Sequence, residues 1–278
     1  MTNIKIGVYE KALSDDTDLY QLLKAVEETR FDYLEISIDD SSDRLSRLEM
    51  SKCEREKLKV YMSEKELYIY SIVLSANRSF PLGSKDPNIR SRGKEIIQKA
   101  ITFAFDLNIP VIQLAGYYTF FSDSRDGNER DRFIEGLKEV SDYAAWNGVM
   151  LGLENMDGKD ILSIKDSINI IEDVKSPWLQ LYPDIGNLVA NGLSLTEELK
   201  NIVGRTLCIH LKDTRRDEFR RVPFGDGEVD FELAGDLLRK QGYRGNYTVE
   251  MWNDGDKNSL KILEETLNFL ENKMRFQK

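Results

Sequence analysis

Thr206-Leu207-Cys208-Ile209-His210-Leu211-Lys212-Asp213 is a short apolar run that turns polar at its end, and it carries the only histidine of the 278-residue chain. Bounded in this way, it reads as a buried strand. Three other stretches are built alike: Val149-Met150-Leu151-Gly152-Leu153-Glu154, Leu179-Gln180-Leu181-Tyr182-Pro183-Asp184 and Asn246-Tyr247-Thr248-Val249-Glu250-Met251. Each delivers a carboxylate at or near its C-terminal end. The intervals from 154 to 184, 184 to 210 and 210 to 250 are 30, 26 and 40 residues, about one strand plus crossover helix each. Consecutive parallel strands at that spacing bring Glu154, Asp184, His210 and Glu250 to one end of a sheet.

One strand-terminal acid by itself reads as the cap of the next helix. Four polar groups that each follow an apolar run are different, because buried charge needs a partner. Three carboxylates and an imidazole repel one another unless a divalent cation lies between them. An O/O/O/N donor set suits Mn, Mg, Zn or Co rather than a metal that prefers thiolates. One divalent ion is therefore the expected cofactor.

The rest of the chain fits around these strands. Ile4-Lys5-Ile6-Gly7-Val8-Tyr9, Tyr33-Leu34-Glu35-Ile36-Ser37-Ile38, Leu67-Tyr68-Ile69-Tyr70-Ser71-Ile72-Val73-Leu74 and Val111-Ile112-Gln113-Leu114-Ala115-Gly116 read as strands one to four. Helices are expected over 19–29, 51–65, 92–105, 130–147, 164–174, 195–203, 231–241 and 259–274, from apolar residues recurring at helical spacing. Residues 39–45 read as a loop over the barrel mouth, and 75–85 as a long functional loop. Tyr117-Tyr118-Thr119-Phe120-Phe121 sets aromatic rings at the carboxylate end. Eight strands alternating with helices predict a single α/β domain over 1–278, a (β/α)8 TIM barrel. No G-x-G-x-x-G follows the first strand and no Walker A loop occurs, so nucleotide-binding readings lose their basis.

A hydrophobic content of 41% supports a large core. With 39 basic against 49 acidic residues the net charge is -10, which argues against a nucleic-acid surface. Cys53 and Cys208 follow no ligand spacing and read as free thiols. No apolar run approaches the roughly 18 residues of a membrane span and no signal-type leader opens the chain. A cytoplasmic protein without membrane contact is the expectation.

Six segments carry a resemblance: Leu74-Ser75-Ala76 with Arg78-Ser79-Phe80-Pro81-Leu82-Gly83-Ser84, Val111 to Tyr117, Gln180-Leu181-Tyr182-Pro183-Asp184-Ile185-Gly186-Asn187-Leu188, Ile209-His210-Leu211-Lys212-Asp213-Thr214, Val222-Pro223-Phe224-Gly225-Asp226-Gly227 and Val249-Glu250-Met251-Trp252. Together, in this order, they resemble the L-ribulose-5-phosphate 3-epimerases of L-ascorbate utilisation, also called L-xylulose-5-phosphate 3-epimerases, which are xylose-isomerase-like barrels. The resemblance implies a divalent metal on Glu154, Asp184, His210 and Glu250, inversion at C3 of a ketopentose 5-phosphate, and a homodimer. Two positions depart from the family pattern: Asn77 stands where histidine is common, and Glu154-Asn155-Met156 replaces Glu-Ile-Met.

For that chemistry, the C3 proton is acidic only when the C2 carbonyl is polarised, which a metal bridging the C2 and C3 oxygens does while stabilising a cis-enediolate. A base on one face of C3 and an acid on the other complete the inversion, and Glu154 and Glu250 are placed for it, leaving Asp184 and His210 as ligands only. For the phosphate, Lys212 is the first candidate, because barrels often bind phosphate near strands seven and eight. Arg215 or Arg216 and Arg78 follow, with Asn187 among the substrate contacts. The nearest alternative is an aldose-ketose isomerase acting on a hexulose or pentose phosphate. A sugar-phosphate binder without turnover is the non-catalytic one, and a histidine-rich apurinic-site endonuclease cannot be built from one histidine.

Overall fold

The structure is a computed structural model that describes residues 4–13, 18–120, 124–202 and 204–276. Phe121 of the aromatic run and residue 203 of the helix expected over 195–203 lie outside the described residues. Eight strands, β1 (Ile6–Tyr9), β2 (Tyr33–Ser37), β3 (Ile69–Leu74), β4 (Val111–Ala115), β5 (Met150–Glu154), β6 (Leu179–Leu181), β7 (Cys208–Leu211) and β8 (Asn246–Val249), run parallel in the order β6-β5-β4-β3-β2-β1-β8-β7. The open edges meet through bridges pairing Leu181 with Thr206 and Asp184 with His210. That closure makes the sheet a (β/α)8 barrel.

Outside the strands lie α1 (Leu19–Glu27), α2 (Ser42–Ser46), α3 (Lys52–Glu64), α4 (Pro87–Asp106), α5 (Glu129–Asn147), α6 (Ile164–Val174), α7 (Ile185–Ala190), α8 (Leu195–Glu198), α9 (Phe231–Lys240) and α10 (Ser259–Met274). Strand periodicity sorts the side chains. Val8, Leu34, Ile36, Ile72, Leu114, Leu151, Leu153, Ile209 and Val249 join the large core with the helices. Their neighbours in sequence point inward: Tyr33, Cys208 and Thr248 bond to one another, as do Glu35, Ser71, Tyr182 and His210, and Gln113 bonds to Glu154. The barrel interior is thus polar through its middle and ends in the carboxylates. Both cysteines are free, Cys53 exposed and Cys208 buried. Among the described residues no helix is long and apolar enough to cross a membrane.

Two glycines make room for large rings inside. A Cβ on Gly7 would lie 1.9 Å from the ring of Tyr33, and one on Gly152 would lie 2.7 Å from that of Tyr182. The Tyr33 hydroxyl is tied to the Tyr247 carbonyl at 2.6 Å, so the ring cannot yield freely. Gly7→Ala should therefore destabilise the protein by about 1–3 kcal/mol through overpacking. An unchanged urea midpoint would show that Tyr33 does not fix the interior.

Three local features differ from the sequence expectation. Helix α4 starts at Pro87 rather than near 92, because Asp86 accepts from the Asn88 amide at 2.8 Å and proline suits the first helical turn. The polar stretch 39–45 runs into α2, capped by Ser41. Strand β6 stops at Leu181, and Asp184 opens α7, a helix that periodicity did not announce.

Candidate metal centre

Each of the four expected donors arrives from a different strand end. Glu154 closes β5, Asp184 caps α7 just past β6, His210 lies in β7 and Glu250 follows β8. Their ligand atoms all lie within 4.8 Å of one another. All four residues are buried, Asp184 and His210 completely. His210 Nδ1 faces this cluster, 3.0 Å from Glu154 Oε1 and 3.6 Å from Glu250 Oε2.

Local bonds hold each donor in place. Asp184 is fixed at three points: its side chain accepts from the Asn187 amide at 3.0 Å, its backbone N–H donates to Asn155 Oδ1 at 2.9 Å, and its carbonyl accepts from Asn155 Nδ2 at 3.0 Å. Asn155, one of the two departures from the family pattern, is therefore the amide that stitches the end of β5 to the end of β6. Asn187, expected at the substrate, instead donates its side-chain N–H to the Asn155 carbonyl at 2.9 Å. Gln113 Nε2 donates to Glu154 Oε2. Asn77, the other departure, donates to the Ala115 carbonyl at 3.3 Å.

Lys212 is drawn into the cluster. Its ammonium sits 2.6 Å from Asp184 Oδ2 and 2.9 Å from Glu250 Oε2, buried, with the Trp252 ring 5.9 Å away. Burial alone favours a neutral amine there, but the carboxylates outweigh it and push the Lys212 ammonium further toward the charged form. Burial, reinforced by Glu250 and Glu154 against the pull of Lys212, raises the Asp184 carboxyl to about 7. For Glu250 burial acts upward too, yet Lys212 and His210 prevail and hold it at about 2. Burial works against a charged imidazole at His210, whereas Glu35 and Glu250 pull it well above its usual range.

These directions share one cause: the donor set is short of positive charge and recruits it from protons and from Lys212. A divalent cation would meet the same demand with three oxygens and one nitrogen, and the buried Asp184 Oδ2, which here faces only the Lys212 ammonium at 2.6 Å, is one such oxygen. The residues present fit a single divalent ion. When bound, it supplies Lewis-acid polarisation of a carbonyl.

The other expected contacts separate in space. Lys212, the first phosphate candidate, is paired with Asp184 and Glu250. Arg215 is tied to Glu218 at 3.1 Å and to the Asp226 carbonyl at 3.0 Å. Arg216 is mostly exposed. Arg78 lies half-buried, its guanidinium 5.5 Å over the Tyr117 ring, with Nε buried and without a hydrogen-bond partner. The Tyr117 hydroxyl donates to Asp157, whose other oxygen pairs with Arg220 at 2.8 Å. The field of Glu250 reaches Arg220. Two residues of this constellation were invisible as site residues in the sequence. Glu35 lies mid-strand and reaches the ring of His210 at 2.7 Å, and Asp157 lies in a polar loop with no distinguishing pattern.

Comparison with known proteins agrees with this geometry. Residues 23–273 match the family described as the xylose isomerase-like TIM barrel. The chain is 42% identical over 255 residues to the L-ribulose-5-phosphate 3-epimerase UlaE of Salmonella heidelberg, covering 92% of this chain and 89% of that protein. It is 41% identical over 251 residues to the protein of the same name from Escherichia coli, covering 90% of this chain and 88% of that one. Among solved structures, the D-psicose 3-epimerase of Clostridium cellulolyticum H10 superposes with a TM-score of 0.81 at 18% identity, over 98% of this chain and 99% of that one. At that identity the superposition speaks to the fold.

Proposed function

Since the chain belongs to the L-ribulose-5-phosphate 3-epimerase family of xylose-isomerase-like TIM barrels, we propose that it interconverts L-ribulose 5-phosphate and L-xylulose 5-phosphate with Glu154 and Glu250 as the proton-transferring pair. The enzyme is a metal-dependent C3 epimerase of a sugar phosphate. The observation that carries this reading is the convergence of Glu154, Asp184, His210 and Glu250 within 4.8 Å.

Inversion needs one carboxylate to take the C3 proton and a second group to return a proton from the opposite face. Glu250 enters ionised, because Lys212 and His210 hold its carboxyl low despite burial. Glu154 approaches from β5, three strands away from β8 round the barrel, with Gln113 fixing one oxygen. In one direction Glu250 accepts and Glu154 donates, and in the other they exchange tasks. Asp184 and His210 serve as ligands. Glu250, Lys212 and Trp252 line one cavity at this end of the barrel, where a substrate can reach the Glu250 carboxylate. Incubation with L-ribulose 5-phosphate in deuterated water, followed by proton NMR, tests the reading. Deuterium at C3 with a ketose product is expected, an aldose product would point to an isomerase, and no exchange would leave a binder.

For the phosphate we assign Arg78, a half-buried guanidinium engaged by no ion pair among the described residues. Arg220 stands across Tyr117 and Asp157 as a second cation. A hydrogen bond to a charged group contributes about 1.5–3 kcal/mol, so Arg78→Ala should raise KM for the phosphorylated pentulose roughly 10- to 100-fold. KM for unphosphorylated L-ribulose should not move, and an equal rise for both sugars would remove Arg78 from the phosphate.

The same reading extends to a cytoplasmic homodimer, one barrel per chain, working in L-ascorbate or related pentose catabolism. Support for association comes from Phe105 near the end of α4 and Trp146 near the end of α5, which are 56% and 90% exposed on helices that pack together. Light scattering that returned about 32 kDa, the mass of one chain, would refute the dimer.

A further inference from the structure

Glu35 is a carboxylate buried inside the barrel, with no exposure at all, on the side of His210 that faces away from the other three acids. It belongs to β2, whose inward residues Tyr33, Glu35 and Ser37 are polar while Leu34 and Ile36 face the helices. Three donors converge on it. The ring nitrogen Nε2 of His210 lies 2.7 Å from Oε1, the Ser71 hydroxyl donates to Oε2 at 2.5 Å, and the Tyr182 hydroxyl donates to the same oxygen. Tyr182 also sets its ring edge-on to the imidazole, 5.0 Å between centroids.

A buried carboxylate is tolerated only when its lone pairs are used. Here one oxygen is saturated by two hydroxyls, and the other is left to accept from a single N–H. An imidazole of the opposite tautomer would present a lone pair to that oxygen and aim its N–H at the cluster of Glu154, Asp184 and Glu250. That tautomer would set two lone pairs against each other at 2.7 Å on the Glu35 side and would leave no nitrogen lone pair for a cation on the other.

We propose that Glu35 is a positioning residue of the metal centre: by accepting the Nε2 proton of His210 it fixes the imidazole so that the Nδ1 lone pair is the one offered to the cation. This rests on the metal reading of Glu154, Asp184, His210 and Glu250. A ligating histidine that donates its second nitrogen to a carboxylate is both oriented and made more basic, and loss of such a partner typically costs about 10- to 100-fold in metal affinity. Glu35 touches neither substrate nor cation, and acts only through the ring.

The chain's single histidine makes the test clean, since a long-range proton–nitrogen-15 spectrum of the imidazole contains one residue. With one equivalent of Zn2+, the full-length wild type should show a proton on Nε2 and a metal-shifted Nδ1. Glu35→Gln keeps the shape and removes the charge, and should bind Zn2+ about 10- to 100-fold more weakly in competition with a chromophoric chelator. A merely structural Glu35 would lower the unfolding midpoint and leave affinity and ligating nitrogen unchanged. The proposal is overturned by Zn2+ on Nε2 in the wild type, which needs no variant to observe, or by Glu35→Gln binding within twofold of wild type. Absence of Zn2+ binding by the wild type would overturn the metal reading beneath it, a result distinct from retained binding in the variant.

Discussion

Glu250→Gln and Glu154→Gln should each lower C3 proton exchange by about 10²- to 10⁴-fold, the usual weight of a positioned acid or base, while far-ultraviolet circular dichroism stays that of the wild type. An amide is isosteric with the carboxylate but accepts no proton from C3. At Glu250 the loss leaves Lys212 with Asp184, 2.6 Å away, so the buried ammonium keeps a counter-charge and the fold persists. At Glu154 the new amide would meet the side-chain N–H of Gln113, which now donates to Oε2. Gln113 Oε1 is buried and has no hydrogen-bond partner, so a flip of that amide lets it accept from the substituted side chain. Both variants should therefore be folded and inactive in the deuterium assay. Near-normal exchange in either would remove that residue from the proton-transferring pair.

Asp184→Asn should cut divalent-metal affinity by more than about 100-fold, since even loss of a hydrogen-bond partner behind a ligand costs about 10- to 100-fold. Asparagine caps a helix about as well as aspartate, so the bond from the Asn187 amide, 3.0 Å in the native chain, survives and α7 keeps its start. What disappears is the oxygen Oδ2 and its charge, which in the native chain faces Lys212. Isothermal calorimetry with Mn2+ or Zn2+ on chelator-stripped protein reads the effect without reference to turnover. An affinity within a few-fold of wild type would show that the cation is held without Asp184, and the four-donor centre would have to be redrawn.

Most of the barrel is legible in the chain because its strands are apolar runs that turn polar at their ends and its helices carry apolar stripes. Where the observed elements depart from that pattern, local chemistry intervenes. Pro87 with Asp86 lengthens α4, and Asp184 caps a helix too short for its periodicity to register. Glu35 shows the limit from the other side. The polar residues at 33, 35 and 37 signal an inward face, yet nothing in that stretch names His210, 175 positions later, as the partner.

The amino-acid sequence by itself determined which donors stand at the ends of strands five to eight, since burial of each apolar run dictates where its polar end emerges. The tertiary structure decided how the cations are shared among them. Lys212 reads as a phosphate ligand in the chain, but barrel closure between β6 and β7 brings it against Asp184, and pairing of β7 with β8 brings it against Glu250. Coulomb attraction depends on separation through space and on local burial, and neither quantity is written in the order of residues.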